Sequence, residues 1–122
     1  MSDETQGLDR TTITVGETKV ELTLQDAAAI MAALVAFLGG WQNEDRDYLL
    51  RDAVGDRPWI DFEGDVRIGT WILESNDRQP LLRRREPPGQ LSAKGFVAYL
   101  IRSADGRWSV ERLEREHIRV RR

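Results

Sequence analysis

Two hydrophobic periodicities divide this chain of 122 residues. From Thr12 to Leu24 apolar and polar residues alternate, with Gly16-Glu17 between the two alternating runs. Such alternation is typical of β-strands, and a glycine between two runs indicates a tight turn. The segment therefore predicts an N-terminal β-hairpin.

A different pattern follows the hairpin, where residues 27–38 contain no polar side chain. Thr23 is a good helix N-cap, Asp26 stands where a capping box places its acid, and Gly39-Gly40 is a typical stop signal. These features predict a long, wholly apolar helix over residues 24–38. A second helix is predicted over residues 44–54, with Asn43 as its cap.

Alternation returns after Pro58 and continues to the end of the chain. Turn-forming residues divide this part into short runs, which indicates an antiparallel meander of four or five strands. Residues 66–75 are expected to form a single strand, with Val66 and Ile68 on one face and Trp71 and Leu73 on the other. In the last run the apolar residues fall at 108, 110, 113, 118 and 120, so their parity switches twice. We expect either a β-bulge in one long strand or a short break near residues 114–116 that separates two strands.

The order of these elements predicts an α+β fold: a hairpin, two helices, then the meander packed on the helices. Residues 1–10 are small, polar and acidic, and we expect a disordered tail there. Residues 11–122 are expected to form a single domain, since the length suits one domain.

Composition narrows the classes of function. The chain has no cysteine, which excludes disulfides, thiolate metal sites and a cysteine nucleophile. The apolar run is too short to span a bilayer, and the acidic N-terminal residues do not resemble a secretory signal. We expect a soluble cytoplasmic protein. Its charge is uneven: residues 44–65 carry eight acids and three bases, whereas residues 78–122 carry five acids and twelve bases.

No catalytic or metal-binding pattern stands out. His117 is the single histidine, and no serine occupies a nucleophile elbow. Asp61, Glu63 and Asp65 lack the further ligands of a calcium loop, and a solvated hairpin turn accounts for them. We predict no catalytic residues, no cofactor and no metal.

The apolar helix raises the question of what covers it, because a sheet covers only one stripe of a helix. The sheet and second helix could wrap it, a second copy could make a homodimer, or a different protein could cover it. The candidate interface residues are Ala29, Ala32, Ala33, Ala36, Phe37 and Trp41.

Two further surfaces are candidates. A basic surface could bind single-stranded nucleic acid, although cross-strand pairing of its arginines with glutamates explains them equally. Its residues are Arg83, Arg84, Arg85, Arg102, Arg119 and Arg121. A sheet curled around a helix could also hold a small ligand, with Trp59, Trp71, Tyr99 and His117 as lining residues.

The leading hypothesis is a small, non-enzymatic protein-binding module of an adaptor, regulatory or antidote type. Its partner would be another protein of unknown identity, with a homodimer as one possibility and no membrane. The alternative is a small-ligand-binding or enzymatic pocket protein. Nucleic-acid binding through the arginine-rich strands has the lowest weight, because the chain is acidic overall.

Overall fold

The computed structural model describes residues 7–55, 57–85 and 94–117. Within these ranges ten elements follow one another, two helices and eight strands. They are β1 (Arg10–Val15), β2 (Thr18–Thr23), α1 (Leu24–Gly39), α2 (Arg46–Val54), β3 (Trp59–Ile60), β4 (Val66–Ile68), β5 (Trp71–Ser75), β6 (Pro80–Arg85), β7 (Lys94–Arg102) and β8 (Trp108–His117). The fold is α+β, as the sequence predicts.

The predicted N-terminal hairpin is present. Strands β1 and β2 pair antiparallel through a two-residue turn. Gly16 has a φ of 62°, a conformation that suits the first central position of a hairpin turn. Leu22 is fully buried, whereas every second residue of β1 is exposed, so the hairpin lies with one face on the core.

Helix α1 begins with the capping box that the sequence predicts. The Asp26 backbone N–H donates to the Thr23 hydroxyl at 3.1 Å, and the Thr23 backbone N–H donates to the Asp26 carboxylate at 2.9 Å. Helix α2 begins later than predicted, at Arg46. Asn43 accepts a hydrogen bond from the Asp45 backbone N–H in the preceding turn instead of capping the helix.

The apolar helix α1 is covered on one side only. Its fully buried stripe is Ala27, Ile30, Leu34 and Leu38, at the spacing of one helix face. Most of the opposite arc consists of alanines, namely Ala28, Ala29, Ala32 and Ala36, all of them exposed. Alanine strongly favours helix and exposes little apolar surface, so this arc tolerates water. Leu24 at the start of the helix is 41% exposed, and the other bulky residues lie on or beside the covered stripe.

The meander forms a six-stranded antiparallel sheet in the order β3-β4-β5-β6-β7-β8, one strand more than the upper prediction. The extra strand arises at Gly69, where a single strand over residues 66–75 was expected. Gly69 has a φ of +58°, and a Cβ there would lie 1.8 Å from the Asp52 carbonyl oxygen of α2. The chain turns at this glycine, and β4 and β5 pair with each other.

The turn at Gly69 reverses the side-chain assignment expected for this segment. Val66, Ile68, Trp71 and Leu73 are all buried, and together they contribute to the core under the helices. A continuous strand would have placed the first two on one face and the last two on the other. Helix α2 is held to the sheet nearby, where the Arg84 guanidinium binds the Asp52 carboxylate at 2.6 Å.

The two edges of the sheet differ in length. Strand β3 has two residues, and the N-terminal segment lies beside it through an antiparallel bridge between Leu8 and Ile60. Of residues 1–10, for which the sequence predicted a disordered tail, Leu8 bridges Ile60 and Arg10 begins β1; residues 1–6 lie outside the described part. Strand β8 has ten residues and forms the other edge.

Among the residues that the structure describes, no helix has both the length and the apolar character needed to cross a membrane.

Candidate protein-binding surface

The long edge strand β8 is the first component of the candidate surface. It pairs with β7 along nine residue pairs, and no described strand pairs with its other side. The register shifts between Tyr99 and Leu100, so β8 carries the bulge that its change of parity indicates. An edge of this length presents a row of unpaired backbone N–H and C=O groups to the solvent.

The second component is an apolar groove between α1 and β8, with a volume of about 290 Å³. It is lined by Ala33, Ala36, Phe37, Trp108, Ser109 and Val110. We call these six residues the α1–β8 groove. The groove opens beside the edge strand and continues onto the exposed alanine arc of α1. A neighbouring chain could therefore reach the backbone edge and the apolar groove at the same time.

Trp108 forms one wall of the α1–β8 groove and is held in place by the start of α1. Its indole N–H donates to the Asp26 carboxylate at 3.3 Å, and the Arg102 guanidinium binds the same oxygen at 3.3 Å. The Arg102 guanidinium carbon also lies 5.1 Å above the Trp108 ring, which is a cation–π contact. Asp26 thus links the helix cap to the groove.

The Asp26 carboxylate is stabilised in its charged form. Burial by itself raises the pKa of Asp26. Hydrogen bonds from the Thr23 backbone, the Trp108 indole and the Thr23 hydroxyl, together with the Arg102 charge, outweigh burial and hold the pKa below its ordinary value.

The six predicted interface residues fall into two groups. Ala29, Ala32 and Ala36 are exposed along the arc of α1. Ala33 and Phe37 are half-buried and line the α1–β8 groove, whereas Trp41 is half-buried just after the end of α1. Trp41 packs edge-to-face against the Phe96 ring, so its main contact is with the core.

The predicted basic residues do not lie on one surface. Arg83 lies on the sheet face away from the helices and binds the carboxylates of Glu74 and Glu116. Arg84 is on the opposite face, 6% exposed, and is held by Asp52. Arg102 lies at the end of β7 and contacts Asp26.

The remaining basic candidates are only partly described. The side chain of Arg85 lies outside the described part of the structure, as do residues 119 and 121. Arg112, which the sequence did not single out, lies 3.9 Å from the centre of the Tyr99 ring and binds Glu111 and Glu114. The described arginines of the sheet are thus largely neutralised by neighbouring acids.

The four predicted pocket residues do not converge. Trp71 is fully buried in the core, whereas Tyr99 lies on the sheet face away from the helices. Trp59 lines an open cleft of about 310 Å³ beside the N-terminal segment, with Leu8 and Leu24. His117 ends β8, and its side chain lies outside the described part. The three residues whose side chains are described form no common cavity.

The acidic turn after β3 is held together by hydrogen bonds to the Asp61 carboxylate. One Asp61 carboxylate oxygen accepts the backbone N–H groups of Glu63 and Asp65, and the other accepts the Arg67 Nε–H at 2.7 Å. The Arg67 hydrogen bond, followed by the backbone N–H of Asp65, holds the pKa of Asp61 below its ordinary value. Within the described ranges, no cluster of three metal-binding side chains occurs.

Sequence reasoning missed the three β8 residues of the groove, Trp108, Ser109 and Val110, and also Leu113 and Arg115 farther along the edge. The switches of parity in the last run were the available signal, since they indicated a bulge or a break in this strand. They did not indicate that the strand forms an edge, because pairing partners are set by the whole sheet.

Comparison of the chain with known protein families, with curated proteins and with solved structures finds no match.

Proposed function

We propose that this protein is a non-enzymatic protein-binding module that contacts its partner along the α1–β8 groove and the edge of β8. The observation that carries the proposal is the ten-residue edge strand beside an apolar groove. An adaptor, a regulatory subunit and an antidote to another protein all use a surface of this kind. The lack of cysteine fits a reducing compartment, and the proposal places the protein in the cytoplasm.

Two physical effects favour binding at this place. A partner's backbone can satisfy the unpaired N–H and C=O groups of β8, which is how β-augmentation gives affinity. The exposed alanines carry no long side chains that would have to be ordered or displaced, so a partner's backbone can approach α1 closely. Phe37 and Val110 in the α1–β8 groove offer apolar surface that a partner side chain can cover.

The competing functions have less support from the same residues. A ligand-binding or enzymatic pocket required Trp59, Trp71 and Tyr99 to surround one cavity, and they lie apart. Nucleic-acid binding required a continuous basic surface, whereas Arg83 and Arg112 are each paired with two acids. A homodimer does not compete with the proposal, because a second copy bound at this surface would also be a protein partner.

The test compares two identical substitutions on the same helix. Ala36→Arg places a long cationic side chain in the α1–β8 groove, whereas Ala28→Arg places it on exposed α1 surface outside the groove. Tagged wild-type protein and both variants are purified from cells that express the protein naturally, and co-purifying proteins are quantified by mass spectrometry.

We expect wild type and Ala28→Arg to retain one protein at a ratio near one to one, and Ala36→Arg to lose it. Equal retention by all three proteins would place the partner elsewhere and defeat the proposal. Failure of all three to retain any stoichiometric protein would defeat it as well. Thermal unfolding of both variants checks that neither substitution changes the fold.

A further inference from the structure

We propose that the partner at this surface is a second copy of the chain, which pairs antiparallel with β8 about a two-fold axis at Leu113. The six-stranded sheets of the two copies then join edge to edge into one continuous sheet. This inference rests on the proposed function, because it names the occupant of the same surface.

Two-fold symmetry determines which residues of the two β8 strands lie opposite each other. The residue on the axis lies opposite its own copy, and residues equally far from it on either side lie opposite one another. With the axis at Leu113, Arg112 of each copy lies opposite Glu114 of the other copy. One position further out, Glu111 of each copy lies opposite Arg115 of the other. Every charged residue of this stretch therefore meets the opposite charge.

The order of charges in residues 111–115 suits pairing with itself. The order is acid, base, leucine, acid, base, so that reading the strand backwards exchanges the sign at each charged position. An axis at any of the four charged residues would set two like charges opposite each other, which is destabilising. Only an axis at Leu113 avoids this within the stretch. A foreign strand requires no such symmetry, so the pattern favours a second copy as the occupant.

Arg115 is the charge that contacts within the chain leave unexplained. Arg112 binds Glu111 and Glu114 of its own strand. Arg115 is exposed, and no ion pair to it is found among the described residues. In the proposed pairing, Glu111 of the other copy lies directly opposite Arg115, where opposite charges stabilise a sheet.

The bulge in β8 sets the length of the shared ladder. Glu111 lies between Val110 and Arg112, which pair with consecutive residues of β7, and is therefore the extra residue of the bulge. A bulge bends its strand and commonly ends the pairing. Because the two-fold axis brings Glu111 of one copy to each end of the ladder, the ladder extends over residues 111–115.

Helix α1 runs along β8 in the same direction. Near the start of the helix, the Asp26 carboxylate accepts the indole N–H of Trp108, the first residue of β8. Just after the end of the helix, Trp41 packs against Phe96, which pairs with Arg115. A two-fold axis perpendicular to the sheet therefore keeps the α1 helices of both copies on one face and makes them antiparallel.

The α1–β8 grooves of the two copies then face each other across the axis. Ala33 and Ala36 line the groove and carry no atom beyond Cβ, and the distance between packed helices depends on the side chains at the contact. The two helices can therefore approach closely. Phe37 and Leu113, both half-buried in one copy, gain further burial between the two.

Exchange of charges tests the identity of the occupant. Sedimentation velocity gives the dimer dissociation constant of the full chain for wild type, Glu111→Arg, Arg115→Glu and the double variant. Each single variant sets like charges opposite each other at two places and should weaken the dimer about tenfold or more, whereas the double variant should return to within about threefold of wild type. The control, Arg107→Glu, changes an exposed charge in the β7–β8 turn and should leave the dimer unchanged.

A mixture of the two single variants is the stricter test. One chain then has bases at both outer positions of the ladder and the other has acids, so the outer pairs are all of opposite charge. The mixture should associate about tenfold or more tightly than either variant alone. Wild type that stays monomeric at millimolar concentration, or a mixture that associates no better than its components, would overturn the inference.

A disulfide tests the position of the axis, because the chain has no cysteine and a single introduced thiol can pair only with its copy. The two copies of residue 113 lie opposite each other, within reach of a disulfide, whereas those of residue 110 lie about 20 Å apart along the ladder. Both residues are half-buried. Leu113→Cys should cross-link on oxidation and Val110→Cys should not; equal cross-linking would overturn the inference.

The proposed function fails separately. When tagged protein is purified from cells that express the protein naturally, the inference predicts that the retained protein is the untagged chain itself. If wild type is a monomer and retains a different protein that Ala36→Arg loses, the inference is overturned and the proposed function stands. If wild type is a monomer and retains no protein, both are overturned.

Discussion

Removal of the Asp26 carboxylate tests how the start of α1 is connected to the rest of the fold. In Asp26→Ala, the Thr23 backbone N–H loses its acceptor, and so does the indole N–H of Trp108 on β8. Loss of a helix-capping interaction costs about 1 kcal/mol. Leaving a largely buried donor without a partner costs about 1–2 kcal/mol more.

The expected loss in the free energy of unfolding is therefore about 2–3 kcal/mol. It lowers the midpoint of thermal unfolding by about 10 °C in a chain of this length. The control is Asp47→Ala in the first turn of α2. Asp47 is largely exposed, and the ion pair found for it among the described residues is with Arg46, at 3.5 Å. We therefore expect a change within about 0.5 kcal/mol.

A double-mutant cycle isolates the contact between Asp26 and Trp108. Urea unfolding of wild type, Asp26→Ala, Trp108→Phe and the double variant should give a coupling energy of about 1 kcal/mol. A coupling near zero, or a loss in Asp26→Ala no larger than that in Asp47→Ala, would refute the reasoning. Either result would mean that the carboxylate does not join α1 to β8.

The same contact has a dependence on pH with a defined sign. The pKa of Asp26 is lower in the folded protein than its ordinary value. The folded state therefore binds the proton more weakly, and the carboxylate stabilises the fold at neutral pH. This stabilisation is lost as the pH falls through the folded pKa, so the difference between wild type and Asp26→Ala should shrink in acid.

Three further outcomes are expected. Gly69→Ala should destabilise the fold by about 2 kcal/mol or more, because its Cβ would meet the Asp52 carbonyl and its φ is positive. Gly39→Ala should leave stability unchanged or raise it by up to about 1 kcal/mol, since nothing lies within 4 Å of the added Cβ. Chemical unfolding measures the stability of both glycine variants. Asp61→Asn should be less stable than wild type at neutral pH, because Arg67 lowers the pKa of Asp61 in the folded protein. The difference in stability should shrink in acid, and an equal difference at both pH values would contradict this.

Local signals predicted the first third of the fold well. Thr23 and Asp26 form the expected capping box, and Gly16 lies in the expected hairpin turn, because each is a contact between residues close in sequence. The meander was predicted less accurately at Gly69. Its alternation continued through a residue that could be read as a strand position or as a turn. The close approach of the Asp52 carbonyl, 17 residues away, is consistent with the turn.

The candidate surface was the part least accessible from the sequence. Alanines 29, 32 and 36 were identified as a possible contact face from the helical pattern alone, and they are exposed. Their neighbours in the α1–β8 groove, Trp108 and Val110, come from a strand about 70 residues later. No local pattern states which strand a helix packs against, since that depends on the order of the whole sheet.

The sequence by itself determined the secondary structure class, the caps, the first turn and the apolar face of α1. These follow from backbone conformational preferences and from periodicity, which act over a few residues. Only the tertiary structure decided that β8 is the edge strand of the described sheet, that Arg83 and Arg84 face opposite sides, and that the exposed arc of α1 is made of alanine. Those facts depend on long-range pairing, in which burial of the whole core selects one arrangement among many that the local pattern allows.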